Sequence, residues 1–194
     1  MVIGKIASSS SHIAYVCQVA SRGEADLVPR PQDYGFGTFV GIERADGSSL
    51  VGVISDTTLL NPEFGSLGPR LSPRDDLGVF SPDYLEEKLT LVAIVVLGAV
   101  AADGTVLQGV PPVAAEIDAA VRRLAVDEVV AFHTGAGGVA LGYVPLLTSL
   151  PSPLAPHLLL QIIEGLRGLF PQDAQRLSVL ADNLAWKARV EPLG

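Results

Sequence analysis

The chain has 194 residues, a net charge of −8 and a pI near 4.7, with 48% hydrophobic and only 18% charged residues and a mean hydropathy of +0.41. That length suits one domain, or a modest domain with an appended subdomain, and folding can bury roughly 70% of the unfolded surface without metals or disulfides. The acidic balance argues against direct DNA binding, because affinity for phosphate backbones comes from clustered Lys and Arg, and the longest basic cluster here is Arg122-Arg123.

The apolar excess suggests a partner subunit. Leu89 to Ala102 is the longest uncharged apolar stretch. It falls short of the roughly 18 to 20 residues that cross a bilayer, so no membrane association is expected. The start "MVIGKIASSSS" has no long apolar core of the signal-peptide kind, and Cys17 is the single cysteine. Both fit a cytoplasmic protein.

The first half reads as strands. In "HIAYVCQV", Ile13, Tyr15, Cys17 and Val19 alternate with His12, Ala14, Val16 and Gln18, the period of two of a half-buried strand. "FGTFVGIERADGSSLVGVIS" gives two strand-like runs around Asp46-Gly47, a hairpin signal with a loop slightly longer than two residues. From Thr57 to Tyr84 the pattern lapses, and Pro62, Pro69, Pro73 and Pro82 interrupt any regular element. Loops of that length are usually functional, so this excursion is a candidate contact surface. "LTLVAIVVLGAV" resumes as a strand apolar on both faces, and Asp103-Gly104 turns it into "TVLQGV".

Pro111-Pro112 marks a change of texture. Ile117, Ala120, Val121 and Leu124 recur at helical spacing, and Asp127 is placed to cap a short helix through Phe132. After Pro156, Leu158, Leu159, Ile162, Ile163, Leu166, Leu169 and Phe170 share one helical face opposite Gln161, Glu164 and Arg167. A last helix after Pro171 carries Leu177, Leu180, Leu184 and Ala188 in register. The fold expected is mainly β with α. A small closed β-barrel occupies residues 1–110, with the proline-rich excursion at 57–84, and a mostly helical segment occupies 111–194.

Candidate chemistry centres on "FHTGAGGVALGY". Gly135, Gly137 and Gly138 are the candidate ligand-binding residues, and Gly135-x-Gly137-x-x-Ala140 formally fits the dinucleotide fingerprint. The residues that follow are strand-like and then broken by proline, so no helix N-terminus is expected to face a pyrophosphate, and the stretch reads first as a glycine-rich turn between a helix and a strand. No Gly-Lys-Ser/Thr and no Gly-x-Ser-x-Gly occurs in the chain. His12, His133 and His157 lack metal-ligand spacing, and Cys17 reads as a small core hydrophobe. No catalytic residue, metal or cofactor is assigned. The face from Leu158 to Phe170 is either core packed against the barrel or a partner interface, and Trp186, the only tryptophan, is either packed on the chain's own core or an anchor in a neighbour.

The order "VIGKIASSSS...YVCQVA", "DYGFGTFVGIERADGSSLVGVIS", "NPEF" and "EKLTLVAIVVLGAV" resembles the N-terminal HAS barrel shared by HerA-type DNA translocases and rotary ATP synthase subunits. In that family an Ile-Gly-Lys/Arg strand opens the barrel, a central hairpin carries Val-Gly-x-Val, and a later apolar strand closes it. "GVPPVAAEID" and "VDEVVAFH....GVALGYVP" are similar to the segment joining the HerA barrel to its motor, so the resemblance covers about residues 1–145. HerA proteins continue into a RecA-like motor with a Walker A loop. This chain ends in helices, and the family's nucleotide-binding residues have no matching positions. The resemblance therefore implies a barrel without a motor, acting as a homo-oligomer or as an adaptor docked to a HerA-type ATPase or NurA-type nuclease. Two alternatives stand beside it: a small nucleotide- or ligand-binding protein or enzyme using residues 135–140, and a structural barrel subunit of a larger assembly.

Overall fold

Alternating apolar residues in the first half of the chain form long antiparallel strands that curl until the last meets the first. The computed structural model describes residues 1–21, 27–61 and 89–190. In chain order it contains β1 (Val2–Ser9), β2 (Ala14–Val19), β3 (Phe39–Glu43), β4 (Ser49–Leu60), β5 (Leu89–Val100), β6 (Val106–Gln108) and β7 (Ala120–Arg123). The elements that follow are α1 (Val126–His133), the short strands β8 (Thr134–Gly135) and β9 (Gly138–Val139), α2 (Val144–Thr148), α3 (Ala155–Leu169) and α4 (Ala174–Val190).

The strands β2, β1, β7, β3, β4 and β5 pair in that order, and β5 pairs back onto β2, giving a closed antiparallel barrel of six strands. Closure removes the unpaired edges that an open sheet would present. β5 is shared: Leu91–Val95 pair with β2, whereas Gly98–Val100 pair with β6. The β3–β4 hairpin turns through residues 44–48, where Gly47 has a φ of 79° and the Asp46 carboxylate accepts the Ser48 N–H at 3.0 Å. That is the Asp-Gly turn expected from the sequence.

Two hydrophobic cores result. Ile3, Ile6, Tyr15, Ile42, Val92 and Ile94 are among the side chains filling the barrel. Val51, Val53, Val95 and Leu97 point outward from β4 and β5 and are buried under the helices. The strand read as apolar on both faces is thus the wall between them. The Tyr15 hydroxyl donates to the His12 carbonyl at 3.0 Å and accepts the Ala115 N–H at 3.0 Å, tying the segment before β7 to the barrel.

Three expectations change. Residues 117–124 are not helical: Ala120–Arg123 form the strand β7, which joins β1 to β3. Spacings of three and four also fit a short strand and its approach, and Asp118, with a φ of 62°, breaks any helix there. The barrel therefore takes a strand from beyond residue 110, and the helical segment begins at Val126. Thr57–Leu60, assigned to the excursion, continue β4. The remainder from Pro62 to Tyr84 lies outside the described residues. "YVPLLTSL", read as strand-like, contains the short helix α2, because Pro145 is tolerated in a first helical turn.

Gly4 marks the closest approach in the barrel wall. A Cβ there would collide with the backbone carbonyl of Gln18 on β2. Backbone cannot swing aside as a flexible side chain can. Gly4→Ala is expected to destabilise the fold by about 2 kcal/mol or more, read as a lowered urea midpoint with an unchanged slope.

Candidate functional site

The glycine-rich stretch forms a hairpin directly after α1. Thr134 closes the helix, its hydroxyl donating to the Val130 carbonyl at 2.8 Å. The chain then folds back through Ala136-Gly137, pairing Gly135 with Gly138 and Thr134 with Val139. Gly138 has a φ of 104°, a conformation that L side chains rarely adopt. No helix opens at the hairpin, so the geometry differs from a dinucleotide fold, where a helix N-terminus faces the pyrophosphate.

The hairpin is bonded instead by one of the chain's own carboxyl groups. The Asp173 carboxylate, from the turn Pro171–Asp173 between α3 and α4, accepts the Val139 N–H at 2.9 Å. It lies where a side chain on Gly138 would stand: a Cβ there would come within 2.7 Å and 2.8 Å of the two carboxylate oxygens. Gly135 packs against Ala140, whereas a Cβ on Gly137 would meet nothing within 4 Å. Of the three candidate glycines, Gly138 is thus the one in contact with a carboxylate.

Gln108 binds the other side of the same unit. Its amide nitrogen donates to the carbonyls of Phe132 at 2.8 Å and Ala140 at 3.1 Å, and its oxygen accepts the Gly142 N–H at 2.6 Å. Only one amide orientation satisfies all three bonds. It joins β6 to the end of α1 and to the hairpin.

His133 ends α1 and is fully buried. Its Nδ1 lies 2.7 Å from the Val129 carbonyl and its Nε2 lies 2.7 Å from the Tyr143 hydroxyl. A carbonyl only accepts, so Nδ1 carries the proton, Nε2 is the acceptor and Tyr143 donates. Phe39, Phe132 and Tyr143 enclose the ring, with Phe39 and Phe132 meeting it edge to face at 5.1 Å and 5.0 Å. Burial pushes the imidazole down to about 4, partly offset by the bond to Val129. Burial likewise raises the Tyr143 phenol, and pushes the Cys17 thiol up to about 12, so that thiol is un-ionised at neutral pH.

At the other end of α1, Arg122 on β7 makes a two-pronged pair with Glu128 at 2.7 Å and 2.6 Å. It reaches Glu43 on β3 at 3.2 Å. Glu128 also accepts the Ala125 N–H at 2.8 Å, so Glu128 rather than Asp127 secures the start of α1. Hydrogen bonds from Arg122 hold the Glu128 carboxyl below its usual range. Ala125 stands where a capping-box serine or threonine would announce the motif, so the sequence carries only half of the signal.

The apolar helix face is spent within the chain. Leu158, Leu159, Ile162, Ile163, Leu166 and Phe170 are buried against the outer wall of the barrel, and Leu169 is half-buried beside them. Of the two readings, core or partner face, the packing is that of core, since a helix stripe of that width is what the exposed wall of β4 and β5 needs for cover. Trp186, by contrast, is 66% exposed. A cavity of about 370 Å³ opens elsewhere, on the side of β1 and β2 lined by Lys5, Gln18 and Asp118. Among the described residues no group of His, Cys, Asp and Glu is placed to hold a metal. No helix there is long and apolar enough to cross a membrane.

A family model described as "Domain of unknown function (DUF8166)" matches residues 1–192. The chain belongs to the DUF8166 family. A search of curated proteins finds no match. For this DUF8166 chain the chemistry must therefore be argued from its own residues.

Two outcomes test the site. An unfolded imidazole titrates near 6.5, whereas folded His133 stays neutral down to about 4. The unfolded state thus binds more protons in that window, and stability falls as pH drops from about 6.5 to about 4. The advantage of the native protein over His133→Gln in urea unfolding is expected to shrink by about 3 kcal/mol between pH 7 and pH 4. Second, Gly138→Ala forces a methyl against the carboxylate, and a loss of about 2 kcal/mol or more is expected. Removing the carboxylate in the double variant with Asp173→Ala recovers part of that loss, and a double-mutant cycle measures how much.

Proposed function

We propose that this DUF8166 chain is a non-catalytic barrel subunit serving assembly, docked to an ATPase of the HerA kind, a nuclease of the NurA kind, or both, in cytoplasmic DNA processing. The observation that carries this proposal is the closed six-strand barrel whose first strand contains Ile3-Gly4-Lys5, the build that the HAS-barrel resemblance implies. Further support comes from groups that elsewhere do acid–base or nucleophilic work. His133 is sealed between Val129 and Tyr143, Cys17 is buried and un-ionised, and Gly138 faces the chain's own Asp173.

A net charge of −8 disfavours a phosphate backbone as a direct ligand, so a role in DNA processing runs through a protein partner. Trp186, exposed on α4, is the large aromatic best placed to anchor one. The test is light scattering on the purified protein alone, then mixed with a HerA-type ATPase and a NurA-type nuclease from the same source. A stable complex with either is expected, weakened at least about tenfold by Trp186→Ala, as for an interface anchor. A chain that binds neither protein and stays monomeric overturns the proposal.

A further inference from the structure

On one side of the barrel, β4 outruns its neighbour. Pairing with β3 ends at Phe39 opposite Val53. The last bonds on that side run from the Ile54 N–H to the Thr38 carbonyl at 3.0 Å and from the Gly37 N–H to the Ile54 carbonyl at 2.8 Å. Beyond a bulge at Ser55, β4 continues to Leu60 and pairs, among the described residues, with β5 alone, from Asp56 opposite Ala93 to Leu60 opposite Leu89.

Alternation decides where the backbone groups of this extension point. The Val96 N–H donates to Ile13 on the β2 side. Val95, Ala93, Leu91 and Leu89 therefore turn toward β4, and Asp56, Thr58 and Leu60 turn toward β5. Thr57 and Leu59 are left with their N–H and carbonyl groups on the open side. The Thr57 N–H is taken by the adjacent Asp56 carboxylate at 2.8 Å, a side chain occupying the place of a strand. Leu59 is 76% exposed. Asp56 is the one charge among residues 55–60, and no proline or lysine blunts this edge.

We propose that the β4 extension pairs with the same extension of a second copy, antiparallel about a two-fold axis at Thr58. This rests on the assembly role proposed above and names its surface. Backbone groups lacking a strand partner call for an extended strand, and an identical edge has the same need. A two-fold axis delivers the antiparallel orientation without further adjustment. In this register Thr57 lies opposite Leu59 of the second copy and exchanges both backbone bonds, in each direction. Thr58 faces Thr58, a favourable cross-strand pair, and Asp56 faces Leu60, so no like charges meet.

Cysteine cross-linking and light scattering on the full chain decide it. Thr58→Cys places two thiols at a non-hydrogen-bonded pair about 4.5 Å apart between Cα atoms, within disulfide range, whereas Thr57→Cys faces a leucine. The buried Cys17 does not compete. Oxidation is expected to give a covalent dimer with Thr58→Cys and not with Thr57→Cys. Thr57→Pro removes the outward N–H and spares the β4–β5 ladder, and is expected to raise the dimer dissociation constant about tenfold or more. If Thr57→Pro fails to fold, the cross-link still answers. Equal cross-linking at both positions, or a dimer indifferent to Thr57→Pro, overturns this surface and leaves the assembly role standing. A native chain that is monomeric and gives no Thr58→Cys dimer also overturns it, while binding to the ATPase or nuclease judges the assembly role separately.

Discussion

β5 must be apolar on both faces because it separates two hydrophobic cores. Val92, Ile94 and Val96 face the barrel interior, and Val95 and Leu97 face the helices. A strand buried on both sides needs every backbone group paired, since an orphaned amide there costs about 1–3 kcal/mol. β4 supplies one flank, and β2 and then β6 divide the other. Closure of the barrel and cover by the helices are therefore two answers to one requirement. If the helices lifted away, Val51, Val53, Val95 and Leu97 would meet water. If β2 parted from β5, the barrel would gain two raw edges.

The helical layer adheres by apolar contact, which is strong but weakly directional, so its position is specified by polar fasteners placed around the rim. Arg122 and Glu128 set the start of α1, Gln108 sets its end and the hairpin, and Asp173 joins the hairpin to the turn before α4. His133 and Tyr143 bond to each other within the layer itself. Each group is bonded to named partners, half-buried at the rim and fully buried for His133 and Tyr143, and such directional bonds specify one arrangement. The same bonding leaves the imidazole with no free lone pair and no access for substrate.

The strands were legible wherever one face differs from the other or both are apolar. The period of two in β2 and the doubly apolar run of β5 read as strands, and the Asp-Gly turns and glycines among several short strands suggested a small barrel. β7 was not legible, because the four residues Ala120–Arg123 are too few to separate a strand period from a helical one. The α3 face was correctly registered, but its cover was left open between barrel and partner, since amphipathicity reports that a stripe is buried without saying by what. The glycine-rich stretch was legible as a turn after a helix, but the carboxylate bonded to it was not. Its source was hidden because Asp173 lies 34 residues from Val139, and a single acid after a proline has no pattern of its own.

Electrostatics separates the kinds of partner such a molecule can hold. At a net charge of −8, copies of the chain repel one another, so an interface between them must be directional and locally neutral. Main-chain bonding at a strand edge meets that description, because its strength does not depend on side-chain charge. Added salt screens the repulsion and favours such pairing. It has the opposite effect on any grip on nucleic acid, which weakens as counterions cease to be released. Among the described residues the strands that overrun the barrel, β4 and β6, keep an edge after closure, and β6, with three residues pinned by Gln108, is the shorter of the two. In the proposed pairing the β4 extension is held through its backbone, which suits a chain of this net charge.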